Sequence, residues 1–482
     1  MANAAGEKEA NSATDLAEKD VSASPSSGSI AEFQGINERA LLRKLDIRLL
    51  PPLTLLYLLS FLDRSNVGNA KLEGLTSDLK ISGDQYLNGL TLYFAGYVLF
   101  EIPCNIILKK TTPSKWLPTL TLVWGIVATL LGIVQNYSGY LSSRFFLGVA
   151  ESGLFPGVVY YVSMWYKREE QNYRICLFFR IAHMEGVGGY RGWRWIFILE
   201  GLLTVVVSAI SYFWVYDYPA TAKFLTEKER EFIIWRLKND SDAIRDEKFT
   251  WSAVLDSFKD HKVWLYALGF HTMSLPMYTL SLFLPTIIKE LGYSAAEAQL
   301  LSVPPYAVAF VLMITVSICS EKTRLRAPFM MVFAGVGCIG YIILLTDHRA
   351  GVSYVGTIFA AAGIYPAVSL VFSWPAANVS GQTKRAIANA LQISIGNCGA
   401  VLGTQLYRAE SAPQYYLGHG FASGYLIANI FAMGGLWWVL KKENQKKARV
   451  RDEKGLRPFV GDIGDDEGEF LGDKDPRWVF QY

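Results

Sequence analysis

Eleven apolar runs of about 20 residues each constrain this chain more than any other feature: 48–68, 87–108, 116–135, 139–165, 194–216, 263–285, 296–319, 328–346, 353–377, 386–407 and 420–440. A helix needs roughly 20 mostly apolar residues to cross a bilayer, where every backbone N–H and C=O must be paired internally. The residues are 51% hydrophobic and 14% aromatic, and 18% are charged, below the roughly 25% of ordinary soluble domains. Trp116, Trp165, Trp193, Trp264, Trp437 and Trp438 stand near run ends, where interfacial aromatic belts form. The expected fold class is therefore an all-α integral membrane protein.

The chain ends read differently. Residues 1–45 are rich in Ala, Ser, Glu and Lys without apolar periodicity, and 441–482 are charged and rich in Gly and Asp. Such segments bury too little apolar surface to offset ordering entropy, so both are expected to be disordered cytoplasmic tails. No apolar signal-peptide core lies within the first 45 residues. A net charge of +3 without a basic stripe argues against a nucleic-acid partner. Cys104, Cys176, Cys319, Cys338 and Cys398 are scattered, so neither a disulfide framework nor a metal site is expected. They read as small hydrophobes.

Lys and Arg in short loops orient the runs. Arg39, Arg43, Lys44 and Arg48 place the N-terminus in the cytoplasm, as do Lys441, Lys442, Lys446 and Lys447 for the C-terminus. Lys109, Lys110, Lys115, Lys167, Arg168 and Arg174, then Lys322, Arg324, Arg326, Lys384 and Arg385, mark further inside loops. The expected organisation is a first bundle over 46–216, a cytoplasmic loop over 217–262 and a six-helix bundle over 263–440.

One crossing is then missing, because only 194–216 lies between the inside turn at Arg174 and the inside loop. An internal repeat locates the gap. Gly153-Leu154-Phe155-Pro156 and Ser163 match Gly363-Ile364-Tyr365-Pro366 and Ser373 at a constant offset. Parallel repeats of this kind are a transporter signature. A full run follows Arg385, but only Ile175-Cys176-Leu177-Phe178-Phe179 follows Arg174, too short to cross. The parent plan is six plus six, with a fifth helix truncated near 173–185, so about eleven spans. A lost exon or a splice variant would produce it.

Charges inside spans are expensive and usually functional. Asp63 and Arg64 end the first run, either as interface residues or as an anion-binding arginine beside a titratable acid. Arg144 and Glu151 lie two turns apart on one helix face, as a structural ion pair or a working one. Glu101 suits a structural or gating role, Glu200 lies in the outer part of its span, and His271 and His183 are isolated. Asn397, flanked by glycines, serves helix packing or binds a carboxylate. No phosphate-binding loop, metal cluster or nucleophile elbow is present in the sequence, so neither an enzyme nor an ATP-driven pump has residues to support it and no cofactor is expected. Secondary transport is what remains.

The segments 58–71 (LLSFLDRSNVGNAK), 144–157 (RFFLGVAESGLFPG), 164–174 (MWYKREEQNYR), 192–204 (GWRWIFILEGLLT) and 283–293 (FLPTIIKELGY) resemble the major facilitator superfamily. Within it the chain is similar to the anion:cation symporter family, and specifically its fungal allantoate/nicotinate permease-like branch, over about 38–450. The resemblance implies proton-coupled uptake of a small carboxylate or vitamin by alternating access, by a monomer in the plasma membrane. It implies that Arg64 contacts the substrate anion with Asn397, and with Tyr93 and Tyr97 as further candidates. It gives Asp63, Arg144 and Glu151 to proton coupling and gating. Two departures stand out: Ser320-Glu321-Lys322-Thr323 replaces the usual Ser-Asp-Arg-Thr, and the fifth helix is incomplete. Two alternatives compete with transport: a truncated product that does not transport, and a membrane nutrient sensor on the same fold.

Overall fold

The computed structural model describes residues 36–154, 157, 158, 161, 165, 193–240, 251–347, 349–380, 382–456 and 472–482. Among these all regular structure is helical: α1 (Glu38–Leu72), α2 (Gly83–Lys110), α3 (Pro113–Leu131), α4 (Tyr137–Glu151), α5 (Trp193–Trp214), α6 (Glu227–Asp240), α7 (Trp251–Lys259), α8 (His261–Glu290), α9 (Ala295–Thr323, interrupted at Ser302), α10 (Ala327–Thr346), α11 (Ala350–Asn378), α12 (Gln382–Thr404) and α13 (Tyr416–Lys454), besides short turns of helix. Side chains that satisfy orphan N–H groups set several starts. Asn37 accepts from Ala40 at α1 and Asn136 from Gly139 at α4, while Ser82–Gln85 and Ser294–Glu297 form capping boxes at α2 and α9.

Each apolar run overlaps a helix, most with ends within a few residues; α1 starts ten residues before its run, α13 ends fourteen after its run, and α4 is described only to Glu151. Seven of these helices, α1, α3, α5, α9, α10, α11 and α13, are long and apolar enough to cross a membrane by length and composition. The sequence gives eleven runs. The difference lies in α8 and α12, which are 30 and 23 residues long but carry many polar side chains, and in α2 and α4, whose runs are not described in full. The polar side chains of α8 are turned inward: Thr272, Ser274, Thr279, Ser281 and Thr286 are all buried. Large apolar residues point the other way. On α5, Leu202, Leu203, Val206, Ile210 and Phe213 are exposed, Phe213 by 90%. A face of this kind would drive aggregation in water and suits contact with lipid.

The helices pack in two groups, α1–α5 and α8–α13, joined along two seams, α1 against α8 and α2 against α12. Close approach requires glycine at two places. A Cβ on Gly148 of α4 would lie 2.0 Å from the Tyr93 carbonyl oxygen of α2, and one on Gly68 would lie 2.6 Å from that of Leu282 across the α1–α8 seam.

Polar ties define two ends of the bundle. At the near end Lys44 pairs with Glu229 at 2.7 Å, Arg236 with Glu38 at 2.7 Å, and Lys262 with Glu443 at 3.1 Å. The start of α1, the central segment and the basic turn at Lys384 thus gather at one end. At the far end Arg194 pairs with Asp78 at 2.8 Å and Thr91 meets Thr404 at 2.7 Å. Trp165 stacks on Phe224 at the near end, whereas Trp193 bonds Asp78 at the far end. The expected truncation near 173–185, with His183, Cys176 and most of the first repeat motif, lies outside the described residues.

Two expectations about the chain ends are corrected, the first being that 1–45 is all disordered tail: α1 already starts at Glu38, capped by Asn37. The chain after 441 is not wholly disordered: α13 continues to Lys454, stops at Gly455 with φ +62, and residues 472–482 pack back on the near end with Trp478 and Phe480 buried. A composition average over the tail hides these two aromatic anchors. Cys104, Cys319, Cys338 and Cys398 are free thiols.

Candidate functional site

Residues at i, i+3 and i+7 share a helix face. Tyr57, Ser60 and Arg64 therefore project together from the middle of α1, toward a cavity between the two groups. Tyr97 of α2, Glu151 of α4 and the following Leu154 close one side; Phe270, Met277 and Tyr278 of α8, Phe372 of α11, and Ile393 and Asn397 of α12 close the other.

Arg64 is the centre. Its Nη2 donates to Glu151 Oε2 at 3.0 Å and its Nη1 to the Tyr278 hydroxyl at 2.9 Å. Its guanidinium lies 5.3, 5.4 and 5.6 Å from the ring centroids of Tyr93, Tyr97 and Tyr278. A desolvated cation among three tyrosine rings gains up to about 2 kcal/mol per well-placed face. Glu151, 1% exposed, also accepts from Ser60 at 2.9 Å and Tyr93 at 2.7 Å. All these bonds fall on Oε2, while Oε1 is buried without a hydrogen-bond partner. The pair is thus an ion pair with spare capacity: Glu151 Oε1 and Arg64 Nε are both unbonded.

The site residues expected from sequence are not one cluster. Glu151 pairs with Arg64, not with Arg144 two turns away on its own helix. Arg144 lies 4.8 Å from the Tyr93 ring, fully buried, with Nε and Nη1 unbonded. Tyr93 therefore stands beside both arginines without itself lining the cavity. Asp63 turns away from Arg64, because adjacent helical residues point about 100° apart. Its Oδ2 accepts from Trp124 Nε1 at 2.7 Å and from Thr204 at 3.4 Å, toward α3 and α5. Asn397 lines the cavity, and its Oδ1 is buried and unbonded. Tyr97 lines it as well.

Other residues lie beside the cavity. Glu101, fully buried one turn from Tyr97, accepts from Ser394 of α12 at 3.2 Å across the seam. Glu200 accepts from Asn66 near the far end. His271 Nδ1 meets the Ile395 carbonyl at 2.9 Å, the satisfied state expected of an isolated histidine. Sequence reasoning missed Tyr57, Ser60, Tyr278, Phe270 and Phe372. The first two were accessible from their spacing to Arg64; the others carry no charge and reach the site only through the meeting of the two groups. Among the described residues no cluster of His, Cys, Asp or Glu could hold a metal.

Far-end contacts shut the cavity off on one side. Thr91 bonds Thr404 and accepts from Gln405 at 2.6 Å, and Gln299 donates to Glu73 at 3.2 Å.

Comparison with known proteins places this arrangement. The sequence model described as Major Facilitator Superfamily matches residues 53–404. The chain is 34% identical over 471 residues to the MFS-type transporter cnsO of Penicillium expansum, covering 91% of each. It is 29% identical over 460 residues to the high-affinity nicotinic acid transporter of Saccharomyces cerevisiae, covering 92% of this chain and 85% of that one. Among solved structures, an inward-facing bacterial homologue of the human lysosomal transporter Spinster aligns with a TM-score of 0.58 at 16% identity, over 83% of this chain and 97% of that one. A proton:xylose symporter aligns with a TM-score of 0.59 at 13% identity, over 80% and 94%. These distant structures speak to the fold alone.

Proposed function

The chain belongs to the major facilitator superfamily and is a membrane transporter rather than an enzyme; on that premise we propose that it carries a small organic anion of the carboxylate or vitamin class together with protons. Its place is the anion:cation symporter family, in the allantoate/nicotinate permease-like branch. The observation that carries this reading is the Arg64–Glu151 pair at 3.0 Å, facing an aromatic cavity.

The logic is one of charge balance. The pair is neutral and buried, and a lone added anion would leave a net charge in a medium where charges are costly. A proton that arrives with the anion removes this penalty. Protonated Glu151 releases Arg64, and the substrate carboxylate takes the freed guanidinium, with the amide of Asn397 and the hydroxyl of Tyr278 beside it. Tyr57, Tyr97, Phe270, Met277 and Phe372 offer apolar and aromatic walls to the body of a compact organic acid. Asp63 and Arg144 form the second gating set behind Tyr93. Coupling follows because the two access states differ in proton affinity.

The basic turns gathered at the near end support placing that end, and both termini, in the cytoplasm. The far-end contacts then close the site toward the outside. The protein acts as a monomer in the plasma membrane. The named activity of the yeast relative makes nicotinate the first anion to try.

The test is uptake of labelled nicotinate, pantothenate, biotin and allantoate by cells lacking their own carriers, in mildly acidic and neutral medium. Saturable uptake of one acid, faster in acid and lost in Arg64→Ala, is expected. Undiminished uptake by Arg64→Ala would remove Arg64 from the site. One observation favours a second reading, a truncated product that does not transport: between Trp165 at the near end and Trp193 at the far end the sequence offers only the short apolar stretch 175–179. Transcript sequencing that finds a further in-frame apolar segment after Arg174 would favour it.

A further inference from the structure

Residues 472–482 lie in a groove at the near end, built from α8, α11, α12 and α13. The mode of holding is specific. In an extended chain the N–H and C=O of one residue point to one side and those of the next point to the other. Asn444 of α13 donates to the Phe480 carbonyl at 2.9 Å and accepts from the Phe480 N–H at 2.9 Å. Asn378 of α11 does the same for the next residue, donating to the Gln481 carbonyl at 2.8 Å and accepting from its N–H at 2.7 Å. Two asparagines thus treat the segment as a central strand between two neighbours, the backbone reading used in strand-addition recognition.

Side chains add sequence preference. Trp478 and Phe480 alternate inward, 6% and 2% exposed, while Val479 between them is 44% exposed. The Phe480 ring lies 4.8 Å from Lys262 Nζ and 4.2 Å from Lys447 Nζ. Asp473 pairs with Lys384 at 2.7 Å, and Arg451 and Lys447 donate to the carbonyls of Pro476 and Trp478 at 2.8 and 3.2 Å.

We propose that this near-end site is a peptide-binding groove that takes a segment with a leading aspartate and alternating aromatic anchors, and that its occupant is the chain's own residues 472–482, held as a releasable strap. Tethering keeps the local concentration of the strap high, so individually modest contacts suffice. The groove is independent of the proposed substrate and of proton coupling.

Limited tryptic cleavage of the full chain in detergent tests it, since Lys474 and Arg477 lie within the strap. Slow cleavage there is expected, accelerated on the order of tenfold by Asn378→Ala with Asn444→Ala while cleavage elsewhere is unchanged. A chain ending at Gly455 gives a second measurement. It should bind a labelled synthetic peptide of residues 472–482 saturably, and the full chain, its groove filled, should not. Equal cleavage of parent and variant, or a scrambled peptide binding the shortened chain as well as the true one, overturns the proposal.

Discussion

At the scale of single residues, Arg64 is held between the Glu151 carboxylate and the Tyr278 hydroxyl. Arg64 and Glu151 were visible because a charge in an apolar run is too expensive to be incidental. Their mutual contact was not, since it depends on α1 meeting α4. Asp63 and Arg64 are neighbours in sequence, but the helix turns them to different sides, Asp63 toward Trp124 and Arg64 toward Glu151. Tyr278 carries no charge to mark it in the sequence, yet its hydroxyl accepts from Arg64 Nη1 at 2.9 Å. Tyr278→Phe should therefore weaken substrate binding by about 1 kcal/mol, a few-fold rise in KM, with little change in maximal rate. Initial-rate uptake over a range of substrate concentrations checks this. Glu151→Gln keeps the shape of the site but removes the titratable group. Exchange of labelled for unlabelled substrate should survive in it, while accumulation against a gradient is lost.

At the scale of elements, the apolar runs were enough to place the helices, and composition misjudged the C-terminal segment because two aromatic anchors are diluted by charged neighbours. Helix contacts make two predictions. Gly148 admits α4 onto the Tyr93 carbonyl, and backbone on the facing side cannot yield. Gly148→Val should lower stability by several kcal/mol and misplace Tyr93, seen as a lower melting temperature in detergent and reduced yield. The second concerns the N-cap of α8. Burial works to raise the Asp260 carboxyl, but Lys262 and Lys384 outweigh it and hold it below the usual carboxylate range. A depressed carboxylate stabilises the fold above its unfolded value, and that stabilisation is lost as pH falls through the folded one. Asp260→Asn should thus lower the melting temperature by a constant amount near neutral pH, and the difference from the parent should shrink below about pH 4.

At the scale of the whole molecule, the division into two packed groups was legible as an internal repeat, whereas the cavity between them was not, because it is made where the two groups meet. The far-end contacts belong to one access state. Cysteines replacing Thr91 and Thr404, whose hydroxyls are 2.7 Å apart, should cross-link on oxidation, stop uptake, and recover on reduction. The central claim is that anion and proton share the Arg64–Glu151 pair. It is tested most directly by labelled nicotinate uptake into proteoliposomes under an imposed pH gradient, comparing the parent chain with Glu151→Gln and Arg64→Ala. The account predicts accumulation above equilibrium in the parent when the outside is acidic, equilibration without accumulation in Glu151→Gln, and no specific uptake in Arg64→Ala. Gradient-driven accumulation that persists in Glu151→Gln would contradict it.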